Sequence, residues 1–337
     1  MRILERLDEL YAIGGGPGAN RPHPSPEEDE AFELAAGWVR DARLEVEIDP
    51  DGNLLGRARQ RPDVWVGSHL DTVPQGGRFD GALGIVAAVE AVESVGRGSV
   101  VVFRGEEVGC VGSRALVARG IALPSAFLEL HIEQGPVLAQ TGSPLGVVTG
   151  IVGYARGELV FEGRAGHAGT TPMNARDDAL VKAAERILRI CDAAEGIEGA
   201  VATVGRFEVA PGGANVIPGA VRISVDARGP DSHRLEKLVR AIGFEPLERV
   251  EPVEMDEGCR AALHAEIEQR GLTVVELPSG AGHDAGILAA AGVPSAMLFV
   301  RSLNGGVSHC PEELSSSEDI ELAVDVLTGA LRRLSSP

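Results

Sequence analysis

No stretch of the 337 residues stays apolar for the ~20 residues that a membrane helix needs, so helical insertion into a bilayer is not expected. Lysine is nearly missing: of 31 basic residues, only Lys182 and Lys237 are lysines. Fifty acidic residues outnumber the basic ones and give a formal net charge of −19. That balance argues against a nucleic-acid partner, because phosphate binding needs a basic face. The acidic surplus favours solubility and names no substrate. Cysteine is scarce, and Cys110, Cys191, Cys259 and Cys310 include no C-x-x-C pair, so neither a zinc knuckle nor a disulfide framework is indicated. All four are read as buried thiols. The segment from Met1 to Tyr11 mixes Arg2, Glu5, Arg6, Asp8 and Glu9 and has no signal-peptide apolar core, which predicts a cytoplasmic protein.

Apolar residues make up 44% of the chain, enough for a sizeable core, and the length favours two domains. Glu5 to Tyr11 reads as a short helix, followed by a Gly-rich loop at residues 14–18. No strand precedes that loop and no G-K-[ST] follows, so it is read as a flexible connection and not a phosphate cradle. Ser25-Pro26-Glu27-Glu28 has the form of a capping box and opens a helix through about Arg40.

Four short apolar strands then end in polar residues. Val64 to Ser68 runs into His69 and Asp71, Val100 to Phe103 into Glu106 and Glu107, and Ala126 to Leu130 into His131. Ala296 to Val300 leads through a Gly-rich loop to His309. Helices predicted over Gly81 to Val95, Ser113 to Arg119 and Asp284 to Ala291 alternate with them. Continuous apolar strands alternating with helices predict an α/β fold, with a mixed, mostly parallel sheet covered on both faces. Sites in such sheets lie at the carboxyl ends of the strands, where these histidines and carboxylates fall.

The middle of the chain has a different pattern. Leu145 to Gly163, Val201 to Val209 and Val221 to Ala227 read as strands, and Ala175 to Ala193 and Ser232 to Ile242 as helices. They predict an inserted α+β domain over 152–253. The first domain comprises 1–151 and 254–337, rejoined by a helix over Glu257 to Arg270. No internal repeat or low-complexity tract is found.

Taken as one site, His69, His131 and His309 offer neutral imidazoles, and Asp80 and Glu107 offer carboxylates. Mixed His and carboxylate ligands suit Zn²⁺ and also Mn²⁺, Co²⁺ or Ni²⁺. Five protein ligands exceed what one tetrahedral zinc requires, and a carboxylate bridging two cations about 3.5–4 Å apart resolves the count. Asp80, in the tight turn 76–81 before a helix, is the best bridge. Asp71 lies two residues after His69, on the same face of an extended strand, where its carboxylate can support the far imidazole nitrogen. The neighbours Glu106 and Glu107 must point apart, so one can bind a cation while the other takes a proton from water and hands it to a leaving nitrogen. Each element alone has a plainer reading, as a surface pair, a solvated charge run or a core histidine. Their joint arrival at strand ends favours hydrolysis.

These residues resemble a known family. The runs 67–73 (GSHLDTV), 76–81 (GGRFDG), 104–107 (RGEE) and 129–135 (ELHIEQG) are similar to those of the M20 family amidohydrolases. More narrowly, the chain resembles the hydantoinase/carbamoylase branch, which includes N-carbamoyl-L-amino-acid hydrolase, allantoate amidohydrolase and β-ureidopropionase. The runs 166–173 (GHAGTTPM), 279–285 (SGAGHDA) and Ser308-His309 support that branch, and the match spans about residue 25 to the end.

The resemblance implies a di-metal exopeptidase-like catalytic domain with the insert acting as lid and dimerisation domain. His69, Asp80 and His131 would hold one metal, and Asp80, Glu107 and His309 the other. Glu106 would be the general base and Asp71 the support of His69. Arg156, Asn215 and Arg228 would bind a small carboxylate-bearing substrate, with Gln134 and His283 also near it. His167, on a lid turn, would stabilise the oxyanion from across a homodimer. His131 stands where peptidase members tend to carry an acidic ligand, which argues against a peptidase. His23, His233 and His264 are read as surface residues.

The chain departs from the branch in the short Val108-Gly109 link, in a compressed segment from Ser113 to Phe127, and in Tyr154-Ala155 before Arg156. Those changes bear on the pocket wall more than on the metals. The leading reading is hydrolysis of an N-carbamoyl-L-amino acid to amino acid, ammonia and carbon dioxide. The alternatives are allantoate amidohydrolase, then an aminoacylase or dipeptidase, and, from another class, an inactive small-molecule binding protein.

Overall fold

The computed structural model describes residues 2–120 and 122–336. The chain parts at Ile151/Val152 and again at Val253/Glu254 into two compact units.

The first unit is built on a nine-stranded sheet. Its spatial order runs Glu45–Ile48, Leu54–Arg57, Ser99–Phe103, Val64–His69, Ala126–Ile132, Ser295–Val300 and Leu145–Ile151, ending at Val253–Glu254, where the chain returns. Glu276–Ser279 adds a parallel partner to Leu145–Ile151. The four strands from Ser99–Phe103 to Ser295–Val300 are mutually parallel, with His69 opposite Phe103 and Phe299 opposite His131. Their carboxyl ends therefore share one edge. The flanking pairs are antiparallel, so the sheet is mixed.

Alternation along these strands divides the core. Val64, Val66, Val100, Val102, Leu128, Leu130, Leu298 and Val300 pack on one face, with the helices Ala82–Val95, Glu257–Gln269 and Ser317–Leu334. Trp65, Val101, Phe103, Phe127, Met297 and Phe299 pack on the other, with Val111–Ala118 and Asp284–Ala290. Both faces are apolar because both are covered.

Ser25 caps the helix Pro26–Asp41 by accepting the Glu28 N–H. The return half of the expected capping box does not form. The Glu28 carboxylate turns instead to His23 (2.8 Å) and Arg104 (3.2 Å). The ion pairs are worth more to that buried carboxylate than one further cap bond. Ser317–Leu334, capped by Ser316, is the longest helix among the described residues and was not read from the sequence. Of the cysteines, Cys110 and Cys259 are buried, but Cys191 is exposed and Cys310 only half-buried. Cys191 lies on the outer face of an amphipathic helix.

The second unit is an antiparallel five-stranded sheet covered by the helices Ala179–Glu195 and Ser232–Ile242. Its long central pair is Gly153–Glu162 with Ala220–Gly229. The expected strand from Val201 to Val209 is two strands, Val201–Thr203 and Phe207–Ala210, both paired to Ala220–Gly229. The break falls at 204–206, where the Ser224 hydroxyl takes the Arg206 N–H at 2.9 Å.

Gly84 lets the helix Ala82–Val95 lie flush on the sheet, since an added Cβ would sit 2.4 Å from the Leu130 carbonyl oxygen and 2.6 Å from Ser68 Cβ. Gly84→Ala should therefore cost about 1–3 kcal/mol of stability, the usual range for overpacking. Thermal denaturation should show a fall in Tm of several degrees, and an unchanged Tm would mean that the helix is not seated this closely.

Candidate metal centre

Asp80 organises the cluster at the strand ends. It is 3% exposed, and its two oxygens face different partners. Oδ1 lies 3.5 Å from His69 Nε2 and 3.1 Å from His131 Nε2. Oδ2 lies 3.3 Å from His309 Nε2, which is also 3.4 Å from Glu107 Oε2. Two ligand groups result, His69–Asp80–His131 and Asp80–Glu107–His309, each with one donor atom per residue within 4.8 Å of the others. All five ligands read from the sequence thus meet, with Asp80 common to both groups.

The donor atoms suit cations. His131 Nδ1 lies 3.0 Å from the Ile132 carbonyl oxygen, and His69 Nδ1 lies 3.1 Å from the Asp71 carbonyl oxygen and 3.3 Å from its Oδ1. These acceptors favour protonation at Nδ1, leaving the Nε2 lone pairs aimed into the cluster. His69 Nε2, His131 Nε2 and Glu107 Oε1 are buried without a hydrogen-bond partner. Buried polar atoms are normally satisfied, so this concentration at one point fits a divalent cation site.

Charges in the site are strongly coupled. Burial opposes the charge on Asp80, but His131, His309 and His69 hold its carboxyl well below the usual range. The bond to Asp80 raises the His309 pKa to about 9, against burial. Burial pushes the Glu106 carboxyl well above its ordinary value; His69 counteracts this, while Asp284, Asp80 and Glu107 add to it.

Several supports were not visible in the sequence. Asp71 accepts the backbone N–H groups of both Glu106 (3.1 Å) and Glu107 (3.0 Å), so it orients the two glutamates as well as His69. Glu313 is buried and accepts the N–H groups of Phe79 (2.8 Å) and Asp80 (3.1 Å) and the Ser308 hydroxyl (2.6 Å). It joins the turn carrying Asp80 to the loop carrying His309. Gly81, at φ +62°, brings backbone against the His69 ring, where a Cβ would lie 2.5 Å from Cε1. Glu129 is fully buried and accepts from Ser68 (2.8 Å) and from the Ala285 N–H (3.0 Å). A carboxylate four residues after His309 carried no signal in a single sequence, nor did one buried within a strand.

Gln134, at φ +56°, donates from Nε2 to Asp80 Oδ2 at 2.7 Å, so it touches the shared carboxylate. Glu106 stands beside the cluster, with Oε2 3.8 Å from His69 Nε2. His283 is buried against His131, with ring centroids 4.5 Å apart. It begins the helix Asp284–Ala290 as cap residue, and Asp284 is buried and bound to Ser113 (2.6 Å). His23 and His264 are half-buried, with ring nitrogens 2.8 Å from Glu28 Oε2 and 3.1 Å from Glu276 Oε1, and are not free surface residues.

The remaining candidates lie in the second unit. Arg156 and Arg228 both engage Asp226, at 2.8 Å and 3.0 Å, and Arg156 stacks over Tyr154 at 4.2 Å. His167 is exposed and pairs across a two-residue strand with Val216, while the Asn215 carbonyl accepts the Ala168 N–H at 2.9 Å.

Fold and cluster together define an α/β protein with a group of carboxylates and imidazoles at its strand ends that is compatible with a divalent cation. Residues 65–333 match the model of peptidase family M20/M25/M40, and the chain belongs to that family. An N-carbamoyl-L-amino acid amidohydrolase of Geobacillus stearothermophilus is 36% identical, with 97% of this chain and 96% of that protein covered. An allantoate amidohydrolase of Bacillus subtilis (strain 168) is 34% identical, with 86% of each covered. The crystal structure of a hydantoinase/carbamoylase family amidase from Burkholderia multivorans matches with a TM-score of 0.92 at 29% identity, covering 99% of this chain and 97% of that one.

Glu313→Gln keeps the shape of the side chain but weakens its hold on the turn and on Ser308. Divalent-cation affinity, read by titration calorimetry, should fall about 10–100-fold. An affinity equal to that of the parent protein would show that the two loops do not depend on Glu313.

Proposed function

We propose that the protein is a hydrolase that cleaves an N-carbamoyl-L-amino acid to the amino acid, ammonia and carbon dioxide. The observation that carries the proposal is the division of Asp80 between two ligand groups, with Glu106 beside them as a further carboxylate. In this reading His69 and His131 share one cation with Asp80, and Glu107 and His309 share the second. Zinc suits the donors, as do manganese, cobalt and nickel. When bound, such cations lower the pKa of a water and polarise the scissile carbonyl.

Glu106 then has the central proton role: it takes a proton from the attacking water and delivers it to the departing nitrogen. Asp71 holds His69 and the backbone of both glutamates in place. Arg156, Asn215 and Arg228 grip the substrate carboxylate, with Arg supplying two-pronged geometry. Gln134 borders the cluster and orients the ureido group. His167 stabilises the developing oxyanion from across a homodimer formed through 152–253, which also acts as lid. Exposed apolar side chains in that unit support self-association, notably Val160, Val181, Leu188 and Phe207. No helix among the described residues is long and apolar enough to cross a membrane, which is consistent with a cytoplasmic enzyme.

Allantoate amidohydrolase is the second reading, favoured by the Bacillus subtilis relative, and the same ligand groups and carboxylate clamp serve it. His131 in place of an acidic ligand weighs against a dipeptidase.

Ammonia release should be measured after loading with Mn²⁺, Co²⁺, Ni²⁺ or Zn²⁺ in turn, on N-carbamoyl-L-amino acids, allantoate and ureidoglycolate. Turnover of N-carbamoyl-amino acids is expected. Release from allantoate alone would move the assignment to the second reading, and release from none would overturn both. Glu106→Gln should lower kcat by about 10²–10⁴-fold with metal content unchanged. A binding protein would be indifferent to that substitution.

A further inference from the structure

His283 is the one histidine beside the cluster that belongs to neither of the two ligand groups sharing Asp80. It is 2% exposed, and its side chain caps no helix N–H. The ring is wedged between His131 and Phe299, with centroids 4.5 Å and 6.1 Å away. Its Nε2 is 2.9 Å from the hydroxyl of Ser279, which is itself 2% exposed and ends the strand Glu276–Ser279. Its Nδ1 has no hydrogen-bond partner and lies 3.6 Å from Glu106 Oε1. The other oxygen of Glu106 faces the cluster.

We propose that His283, held by Ser279, is the positioning residue of Glu106. Its Nδ1–H directs Oε1 to the protein side and so commits Oε2 to the water and the leaving nitrogen. This deepens the reading of Glu106 as proton carrier and rests on it. A contact of 3.6 Å is longer than a hydrogen bond, and catalytic contacts commonly tighten once substrate is seated.

The proton inventory is consistent. The Ser279 oxygen accepts the Ala281 N–H at 3.2 Å, and its single O–H can go either to His283 Nε2 or to the Ala281 carbonyl at 3.1 Å. In its proposed role as base Glu106 meets the water as a carboxylate, which accepts only, so that role calls for a donor at Nδ1. A neutral imidazole has one N–H, so Nε2 must then accept, and the Ser279 O–H turns to it. The carboxylate at Nδ1 and the Ser279 hydroxyl at Nε2 together set the tautomer, and packing between His131 and Phe299 fixes the ring. With both set, Glu106 avoids the rotamer freedom that a glutamate in a wide pocket would keep. The family resemblance places His283 near substrate, and its unbonded nitrogen faces Glu106.

The test uses the full-length protein loaded with zinc. His283→Ala should lower kcat about 10–100-fold while KM and zinc content stay at parent values. His283→Asn can place an amide N–H where Nδ1 stands and should recover most of the loss. ¹⁵N spectra of histidine-labelled protein should show His283 protonated at Nδ1 in the parent, with Ser279→Ala shifting it towards Nε2 and lowering kcat. Parent-like kcat in His283→Ala, an Asn variant no better than Ala, or Nε2 protonation in the parent would each overturn the proposal. If His283→Ala fails to fold, the tautomer and Ser279→Ala decide it. Should the parent turn over none of the substrates, the functional reading fails, while the tautomer still reports on His283.

Discussion

A buried carboxylate shared by three imidazoles is the constraint on which this molecule turns. Asp80 is removed from water at a point where a lone charge would cost several kcal/mol. It stays ionised because His131, His309 and His69 surround it, while Glu313 fixes the turn that carries it by accepting its backbone N–H. The imidazoles in turn need orientation, which carbonyl oxygens at Asp71 and Ile132 provide through Nδ1. Such an arrangement is electrostatically expensive to assemble from side chains alone. A divalent cation held by the imidazoles and carboxylates would offset that cost by taking the place of protons on the histidines. The unpartnered Nε2 atoms of His69 and His131 are the local sign of that design.

The sheet delivers these groups with little freedom. Because residues 64–69, 99–103, 126–132 and 295–300 run parallel, their polar ends emerge on one edge, and register places His69 level with Phe103. Alternation then sends Trp65, Phe127, Glu129, His131 and Phe299 towards one face, where His283 and the helix Asp284–Ala290 cover them. Glycine makes the closest approaches: at Gly81 the backbone touches His69, and at Gly84 the helix touches the strand. Catalytic precision here is inherited from close packing, since a site built on strand ends moves only if the sheet does.

Much of this was legible in the residues themselves. Apolar runs ending in His or Glu marked the central strands, and Ser25 and the Ser232–Ile242 periodicity marked helices, because each signal is local. The antiparallel course of Leu145–Ile151 beside Ser295–Val300 was not legible, since pairing partners far apart in sequence leave no trace in either strand alone. Glu28 misled for the same reason: its spacing fits a capping box, but Arg104, 76 positions later, competes for the carboxylate. Glu313 left no mark because an isolated acid reads as a surface charge until the fold shows it buried and saturated with donors, and the run that begins at Glu129 does not show that Ser68 and the Ala285 N–H saturate its carboxylate. Sequence could nominate the ligands, but the groups that orient them are recognisable only by what they touch.

The cluster around Asp80 and the two arginines fall on different parts of the chain. The ligand groups, Glu106 and their supports all lie in the first unit, whereas the arginines proposed to grip a carboxylate lie in the second. Arg156 and Arg228 stand on neighbouring strands, on either side of Asp226, which accepts from both. The charge of both guanidinium groups is thus partly balanced within the second unit itself, so any carboxylate bound by them would be recognised more by geometry than by net attraction. Tyr154 supplies part of that geometry. Its ring lies under Arg156, and its hydroxyl donates to Glu248 at 2.7 Å, which pins the ring. Of the pair that departs from the carbamoylase pattern, Tyr154 is thus the residue that packs on the arginine. The departure bears on how Arg156 is presented and touches none of the five residues of the cluster that centres on Asp80.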